Sequence, residues 1–294
     1  MLTTLTTLAA LALAPAPAQQ TDTTLPVRAG ARLEVNNFGG EIAVKTWTRS
    51  AVRIAASHAS RDRILISASD QFVRVKSEGP RGPAQMVDYT ITVPGWMALN
   101  LSGVYTDIKV DGAQNEVTAE TVQGEVTVLG GSGNVSLKSV QGAVTLEKAR
   151  GRIDLNTVNE EIRATDISGD LSAETVNGDI TLLQVESANA EATTVNGDIT
   201  YDGTIKDGGR YRFSTHDGGL RISVPEKASV SVSVSTFNGD FSACFPVQLT
   251  GKTKHRFSFT IGAGSARLEV ESFDGDIKLC RPGHVSKDDE KEEK

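Results

Sequence analysis

The sequence predicts an all-β protein built as a parallel β-solenoid, in which the chain winds into stacked coils of two strands and two turns. Three observations predict this fold: a repeat of about 18 residues, alternation of apolar and polar residues within each repeat, and glycine at the expected turns. The 294 residues include 28 glycines and only 5% aromatic residues, which suits thin coils filled by Val, Ile and Leu.

The chain begins with an apolar run over residues 2–14, which is too short to span a membrane. Ala16-Pro17-Ala18 supplies the small-x-small pattern of a signal-peptidase site, so residues 1–18 are predicted to be a signal peptide, although no Lys or Arg precedes the run. A linker is expected over residues 19–30. The protein is therefore expected to be exported, either periplasmic or secreted to the cell surface, without a transmembrane anchor.

Residues 31–110 carry weaker versions of the repeat and are predicted to form an N-terminal β region that caps the solenoid. The segment from Val35 to Ile42 and the segment from Gly103 to Ile108 resemble the repeat unit. Alternating strands and loops lie between these two segments, which indicates a β excursion from the first coils.

The solenoid itself is predicted over residues 111–283. Segments such as TVNGDITL recur there at spacings of 18, 18, 18 and 19 residues, starting at Thr121, Ser139, Thr157, Thr175 and Thr194. About five strand residues and a turn fill nine positions, so a two-strand coil takes about 18 residues. An antiparallel sandwich also has many short alternating strands, but it requires no fixed spacing between them.

Aligned repeats place equivalent residues of neighbouring coils about 4.8 Å apart. One internal apolar column is therefore predicted, formed by Val126, Val144, Ile162, Ile180 and Ile199. Residues 284–294, which end in KDDEKEEK, are predicted to be a charged, disordered tail.

The repeated TVNGDIT, the early VNNFGGEIAVKTW and the late FTIGAGSARLEVESFDGDIKL resemble a family of exported bacterial proteins of unknown function described as "putative adhesins". The resemblance covers most of residues 31–281 and extends to the head domains of auto-transporter adhesins. It implies a β-solenoid outside the cytoplasm and no catalytic residues, because the family has no established catalytic motif. Some relatives are associated with envelope stress responses, which implies sensing as an alternative role.

The two cysteines occupy the same position of their repeat units, because Cys244 follows Gly239 by five residues and Cys280 follows Gly275 by five. If these units lie on neighbouring coils, the two Cα atoms are about 4.8 Å apart, which is within the range that a disulfide needs. A Cys244–Cys280 bridge is therefore predicted at the C-terminal end, with two buried free thiols as the alternative. Disulfides persist in the compartments to which exported proteins go.

The residue after each turn glycine is expected to point outward and to form a column rich in carboxylates. With the threonines two residues later, this column is predicted to be a partner-binding strip, or alternatively a solvated face that keeps the protein soluble. The strip comprises Glu125, Glu161, Asp179, Asp198, Thr181 and Thr200. The turn amides, among them Asn177 and Asn196, are expected to form a hydrogen-bonded ladder, and His216 is aligned with them.

These features predict a non-enzymatic scaffold or adhesin-like binding module at the cell envelope, with no cofactor, metal site or catalytic residue. The net charge of −7 argues against a nucleic-acid partner. The expected ligand is an envelope or surface polysaccharide, a cationic peptide or a protein, and solenoid edges also invite end-to-end self-association. The alternatives are a carbohydrate-active enzyme that uses Glu160 and Glu161, and a cation-dependent or stress-sensing module.

Overall fold

The computed structural model describes residues 18–283, and every regular element within that range is a β-strand, which confirms the all-β class. The predicted tail over residues 284–294 lies outside the described residues, as does all but the last residue of the predicted signal peptide. Within residues 18–283 there is no helix that could cross a membrane.

The strands alternate between buried and exposed side chains, as the sequence pattern requires. In VSVSVSTFN, for example, the valines are buried and the first two serines are exposed. The strands are β1 (Ala18–Pro26), β2 (Arg32–Trp47), β3 (Ala51–Ala59), β4 (Arg63–Ala68), β5 (Phe72–Glu78), β6 (Val87–Pro94), β7 (Ala98–Ala113), β8 (Val117–Glu120), β9 (Val126–Gly130), β10 (Ser132–Lys138), β11 (Val144–Glu147), β12 (Arg150–Asn156), β13 (Ile162–Glu174), β14 (Ile180–Glu186), β15 (Asn189–Thr193), β16 (Ile199–Gly203), β17 (Arg210–Asp217), β18 (Leu220–Ser223), β19 (Val230–Asn238), β20 (Phe241–Ala243), β21 (Leu249–Lys252), β22 (Arg256–Ile261), β23 (Ala266–Asp274) and β24 (Ile277–Cys280).

The middle of the chain is a stack of parallel strands whose partners are one repeat apart. Val144 lies between Val126 and Ile162, Ile162 pairs with Ile180, and Ile180 pairs with Ile199. All five side chains are fully buried. The residues predicted to form one internal column are therefore neighbours in the core, and they belong to one contiguous cluster of buried side chains.

Each coil contributes to two parallel sheets. The pre-turn sheet, which precedes the TVNGD turn, contains β8, β10, β12, the second half of β13, β15, β17, β23 and β19. The post-turn sheet contains β9, β11, the first half of β13, β14, β16, β18, β24 and β20.

The corner that leads from the post-turn sheet to the next coil requires a left-handed backbone. Equivalent residues on successive coils all have positive φ, namely Gly112 (85°), Gly130 (99°), Lys148 (55°), Asp166 (59°) and Gln184 (53°). Glycine adopts this conformation without steric cost, whereas the three other side chains tolerate it at a cost of about 1 kcal/mol each.

The parallel stack begins before residue 111, inside the region predicted to cap the solenoid. β2 pairs in parallel with β7, which pairs with β8 and β9, while β5 and β6 lie in parallel on the other side of β2. Antiparallel strands cover this end, because β4 pairs with β5 and β3 pairs with β6. Residues 19–30, expected to be a linker, instead contain most of β1, which pairs with β3 along its whole length.

The C-terminal end has a different order in space from that in sequence. β23 lies between β17 and β19, and β24 lies between β18 and β20. The last coil of the chain is therefore inserted between the two coils that precede it in the sequence. The connecting segment supplies β22, which covers β19 in antiparallel orientation, and β21, which pairs with β22.

The predicted disulfide is present between Cys244 and Cys280, whose Cα atoms are 4.8 Å apart. The pairing of Ala243 with Leu279 places the two cysteines side by side on neighbouring coils. The bridge therefore fastens the outermost C-terminal coil to the inserted coil.

Candidate functional site

The TVNGD turn is the repeated surface feature of the molecule, and buried hydroxyl groups hold it in place. Thr157 Oγ1 donates to the carbonyl of Gly142 on the preceding coil at 3.1 Å, and Thr194 Oγ1 donates to the carbonyl of Gly178 at the same distance. The same bond is made from Thr121, Ser139, Thr175, Thr215, Thr236 and Ser272. These side chains are almost fully buried, so the column is structural.

The turn glycines are explained by close backbone approach between coils. A Cβ atom on Gly142 would collide with the carbonyl oxygen of Gly124, and one on Gly178 would collide with that of Glu160. Coils can therefore stack at their normal spacing only if most turns keep glycine at this position.

The turn amides form the predicted ladder. Asn196 Nδ2 donates to Asn177 Oδ1 at 2.8 Å, and Asn177 Nδ2 donates to Asn159 Oδ1 at 3.1 Å. Gln123 Nε2 donates to Gln141 Oε1 in the same way on earlier coils. His216 does not belong to this ladder, because Asp217 pairs with Asn196; the alignment of His216 with the turn amides is wrong by one residue.

The predicted strip lies in two neighbouring columns of the post-turn sheet, and its aspartates have structural partners. Asp179 Oδ1 accepts the N–H of Asp198 at 2.8 Å, and Asp198 Oδ1 accepts the N–H of Gly219 at 2.7 Å. Arg221 Nη1 lies 3.0 Å from the other oxygen of Asp198. These carboxylates therefore fix the turn of the next coil, and the charge of Asp198 is partly neutralised.

The remaining strip residues differ in their accessibility. Glu161 lies 3.5 Å from Arg163, so it has a cationic neighbour. Thr181 pairs with Thr200, which is only 6% exposed and presents little surface to a partner. Glu125 and Asp179 belong to the column that faces solvent, and Ala143 interrupts that column between Glu125 and Glu161.

An exposed apolar column runs along the same turns, and sequence reasoning missed it. It consists of the residue before each turn amide, which is an apolar side chain on almost every coil. Its most exposed aliphatic members, between 38% and 48% accessible, are Val122, Val140, Val176 and Val195. The full column contains Phe38, Val104, Val122, Val140, Val158, Val176, Val195, His216, Phe273 and Phe237. The valine that recurs in the TVN and TVQ segments is the sequence feature that could have revealed this column.

The C-terminal end of the apolar column is a stack of aromatic rings. Ring centroids are 4.8 Å apart between His216 and Phe273, 5.1 Å between Phe273 and Phe237, and 4.6 Å between Phe237 and His255. The ring planes lie within 15° of parallel. This ring stack lines a pocket of about 550 Å³, and Glu271 and Arg256 also line it.

Comparison with known proteins finds a family model that is similar to part of this chain. Residues 173–280 match the family model described as Toastrack DUF4097. The matched Toastrack segment contains the turns of Asn177, Asn196, Asn238 and Asp274 and both cysteines, and thus the C-terminal half of the apolar column. No curated protein matches the chain.

The solved structures that align with most of this chain have low sequence identity to it. A "putative adhesin" from Bacteroides fragilis is 11% identical and covers 89% of this chain and 97% of its own, with a TM-score of 0.40. A "putative lipid binding protein" from Parabacteroides distasonis is 10% identical and covers 89% and 96%, with a TM-score of 0.35. These likenesses are too distant to bear on function, and the relation to auto-transporter adhesin heads finds no support among them.

Proposed function

We propose that the protein is an exported, non-enzymatic binding module of the cell envelope that contacts a protein or peptide partner through its exposed apolar column. The observation that carries the proposal is the alignment of apolar side chains on successive turns. The most exposed of these side chains, from Val176 to Phe237, are between 38% and 53% accessible. Export is supported by the signal-peptide pattern and by the Cys244–Cys280 disulfide.

The apolar column contributes little to the fold that bears it. The valines of TVN point away from the core, so a threonine at each position would preserve the turn, the amide ladder and the buried hydroxyl column. Contiguous apolar surface on a soluble protein marks interaction sites more often than chance exposure does. A row along the solenoid is such a surface, because neighbouring members are one coil spacing apart.

The geometry of the ring stack favours a protein partner over a sugar. A sugar ring packs on the face of an aromatic ring, but here the faces of Phe273 and Phe237 are covered by their neighbours in the stack. Ring edges and valine methyl groups instead suit the apolar side chains of a polypeptide. Aromatic residues are also enriched at the centres of protein–protein interfaces.

The predicted strip refines the partner's chemistry. Asp198 follows Val195 by three residues in the same turn, so the carboxylate column runs alongside the apolar column. A partner that carries both apolar and basic side chains would satisfy both columns at once. We therefore propose a cationic, amphipathic peptide segment as the ligand, with Glu125 and Glu161 as the least constrained carboxylates.

The test uses a labelled Leu/Lys amphipathic peptide as probe and measures fluorescence anisotropy. Wild-type protein is expected to bind it, and replacement of the four valines by threonine is expected to weaken binding at least about tenfold. That variant carries Val122→Thr, Val140→Thr, Val176→Thr and Val195→Thr. A Ser/Lys peptide of equal charge should bind much more weakly, because it lacks the apolar side chains.

The matched control changes four outward residues of the pre-turn sheet and should bind as wild type does. It carries Thr118→Ala, Ser136→Ala, Ser172→Ala and Thr193→Ala. Equal binding by the valine variant would refute the proposed site. Release of oligosaccharide from envelope or plant polysaccharides would refute the non-enzymatic function, provided that Glu160→Gln and Glu161→Gln abolish it.

A further inference from the structure

A shallow groove of about 690 Å³ crosses the pre-turn sheet, at the opposite end of the strands from the TVNGD turns. It spans β12, β13, β15, β17 and β23, so it runs along the solenoid axis. One column of its lining is strongly polar and comprises Arg152, Asp170, Asn189, Arg210 and Arg267. The groove lies on a different surface from the exposed apolar column.

The arginines of the groove are arranged at an electrostatic cost. Arg210 and Arg267 are directly opposite each other on neighbouring strands, where like charges repel. Arg212 projects from the same face of β17 as Arg210, two residues away, and adds a third positive charge, with Glu271 4.0 Å from its guanidinium group. Within residues 18–283, the guanidinium group of neither Arg152 nor Arg210 has a hydrogen-bond or ion-pair partner.

The carboxylates of the groove do not cancel these charges. Asp170 accepts a hydrogen bond from Asn189 Nδ2 at 2.9 Å, and Glu269 lies 3.9 Å from Arg267. Glu191 is the third carboxylate of the lining, against four arginines. The groove therefore has a positive excess on a protein whose net charge is −7.

We propose that this groove binds an acidic polysaccharide. A guanidinium presents a planar fork that matches carboxylate and sulfate oxygens, so an acid group placed between Arg210 and Arg267 would relieve their repulsion. Arg152 lies three coils away along the stack, at about 14 Å, which is too far for one small anion to contact both ends. A polymer that carries acid groups at intervals along its length spans this distance.

The middle of the groove suits the uncharged part of such a polymer. Ser172 and Asn189 line it between the arginines and offer hydroxyl and amide groups to sugar hydroxyls. Among the described residues that line the groove, Tyr211 is the only aromatic one. Its ring is buried, so it offers no free face, and its hydroxyl donates to the carbonyl of Ser187. Single-stranded nucleic acid requires stacking platforms, so it fits this surface less well.

The binding experiment compares immobilised polygalacturonate, heparin and dextran at low and high salt by biolayer interferometry. Binding is expected to polygalacturonate or heparin and not to dextran, and it is expected to weaken as added salt screens the charges. The double variant Arg152→Gln/Arg210→Gln should lose at least about tenfold in affinity, because charge-assisted contacts at both ends disappear. Arg210→Lys/Arg267→Lys, which keeps the charge but not the fork, should lose less.

The matched control removes two exposed arginines far from the groove, with Arg61→Gln/Arg81→Gln, and should bind as wild type does. A loss of affinity equal to that of the groove variant would overturn the proposal, because it would show attraction by overall charge alone. Equal binding of dextran, tighter binding of oligo(dT), or undiminished binding by the groove variant would overturn it as well. Far-UV circular dichroism and Tm of each variant verify that the folded state is retained.

Discussion

Single side chains at the turns determine how closely the coils stack. The hydroxyl of each TVN or SVQ segment donates to a carbonyl of the preceding coil's turn, and Thr157 is a representative case with 1% exposure. That carbonyl is enclosed between coils, where water cannot replace a lost donor. A buried acceptor without a partner costs more than the bond itself contributes, so this column is under strong constraint.

Thr157→Val tests the buried hydroxyl at nearly constant side-chain volume. The variant should lower the free energy of unfolding by about 1–2 kcal/mol, since the carbonyl of Gly142 loses its donor. Thr127→Val is the control, because Thr127 is exposed on the post-turn sheet and should change stability by less than about 0.5 kcal/mol. Urea denaturation measures both, and equal effects would show that the hydrogen bond is unimportant.

Between elements, the outermost N-terminal coil is held by a charged cluster as well as by the strand ladder. Glu34 on β2 accepts bonds from Arg74 Nε on β5 at 2.8 Å and from Arg32 Nε at 2.7 Å. These guanidinium groups, Arg74 first and then Arg32, lower the pKa of Glu34. A carboxyl group with a lowered folded-state pKa stabilises the protein above its unfolded pKa, and this contribution is lost as the pH falls through the folded pKa.

Glu34→Gln should therefore lower Tm near neutral pH and have progressively less effect below the unfolded glutamate pKa of about 4.3. Glu174→Gln serves as control, since Glu174 is exposed on the pre-turn sheet and should leave Tm nearly unchanged throughout. Differential scanning fluorimetry across the acidic range provides the measurement. A Glu34 effect that does not depend on pH would contradict an electrostatic role.

At the other end, the disulfide is the covalent link between the outermost coil and the inserted coil. β20 has only three residues and pairs only with β24 among the described strands, so its hydrogen bonds alone hold it weakly. The bridge joins residues that are 36 positions apart in the sequence, and the segment between them includes the antiparallel pair β21 and β22.

Cys244→Ser/Cys280→Ser should destabilise the protein by about 3 kcal/mol, because the unfolded chain regains the freedom that the bridge removes. Hydrogen exchange should accelerate first in β20 and β21 and least in β14, in the middle of the stack. Reduction of the wild type with dithiothreitol should reproduce both effects. Unchanged protection in β20 would show that packing of Phe241 against Phe257 and Phe259 suffices.

The sequence predicts these elements unevenly, for physical reasons. Fixed spacing identifies the core column from Val126 to Ile199 and the Cys244–Cys280 pair, because equivalent positions of a parallel stack must lie side by side. Spacing alone does not reveal which coil is inserted, because β23 pairs in register with both β17 and β19. The ring stack was missed because His216 was aligned with the turn amides, whereas the pairing of Asp217 with Asn196 makes His216 equivalent to Val195.

For the whole molecule, the order of coils protects both ends of the stack. At each end the chain's terminal coil is buried between two others, and antiparallel strands cover β5 and β6 at the N-terminal end and β19 at the C-terminal end. Among the described strands, those with a single partner and hence a free edge are therefore β1, β4 and β21, which pair in antiparallel orientation, and β20, which pairs in parallel. End-to-end self-association would have to use these edge strands, and the nine-residue β1 is the longest of them.

The same architecture predicts that a complete coil can be removed. Deletion of residues 139–156 takes out 18 residues and joins Lys138 to Thr157, which is equivalent to Ser139 in the register. Because each coil contacts only its neighbours, the shortened stack should fold with a modest loss of stability and an unchanged circular dichroism spectrum. Deletion of residues 139–155 removes one residue fewer and would turn inward side chains outward in the joined strand. The second deletion should therefore fail to fold cooperatively, and thermal unfolding of both proteins distinguishes a repeat that tolerates deletion from a fold that requires every coil.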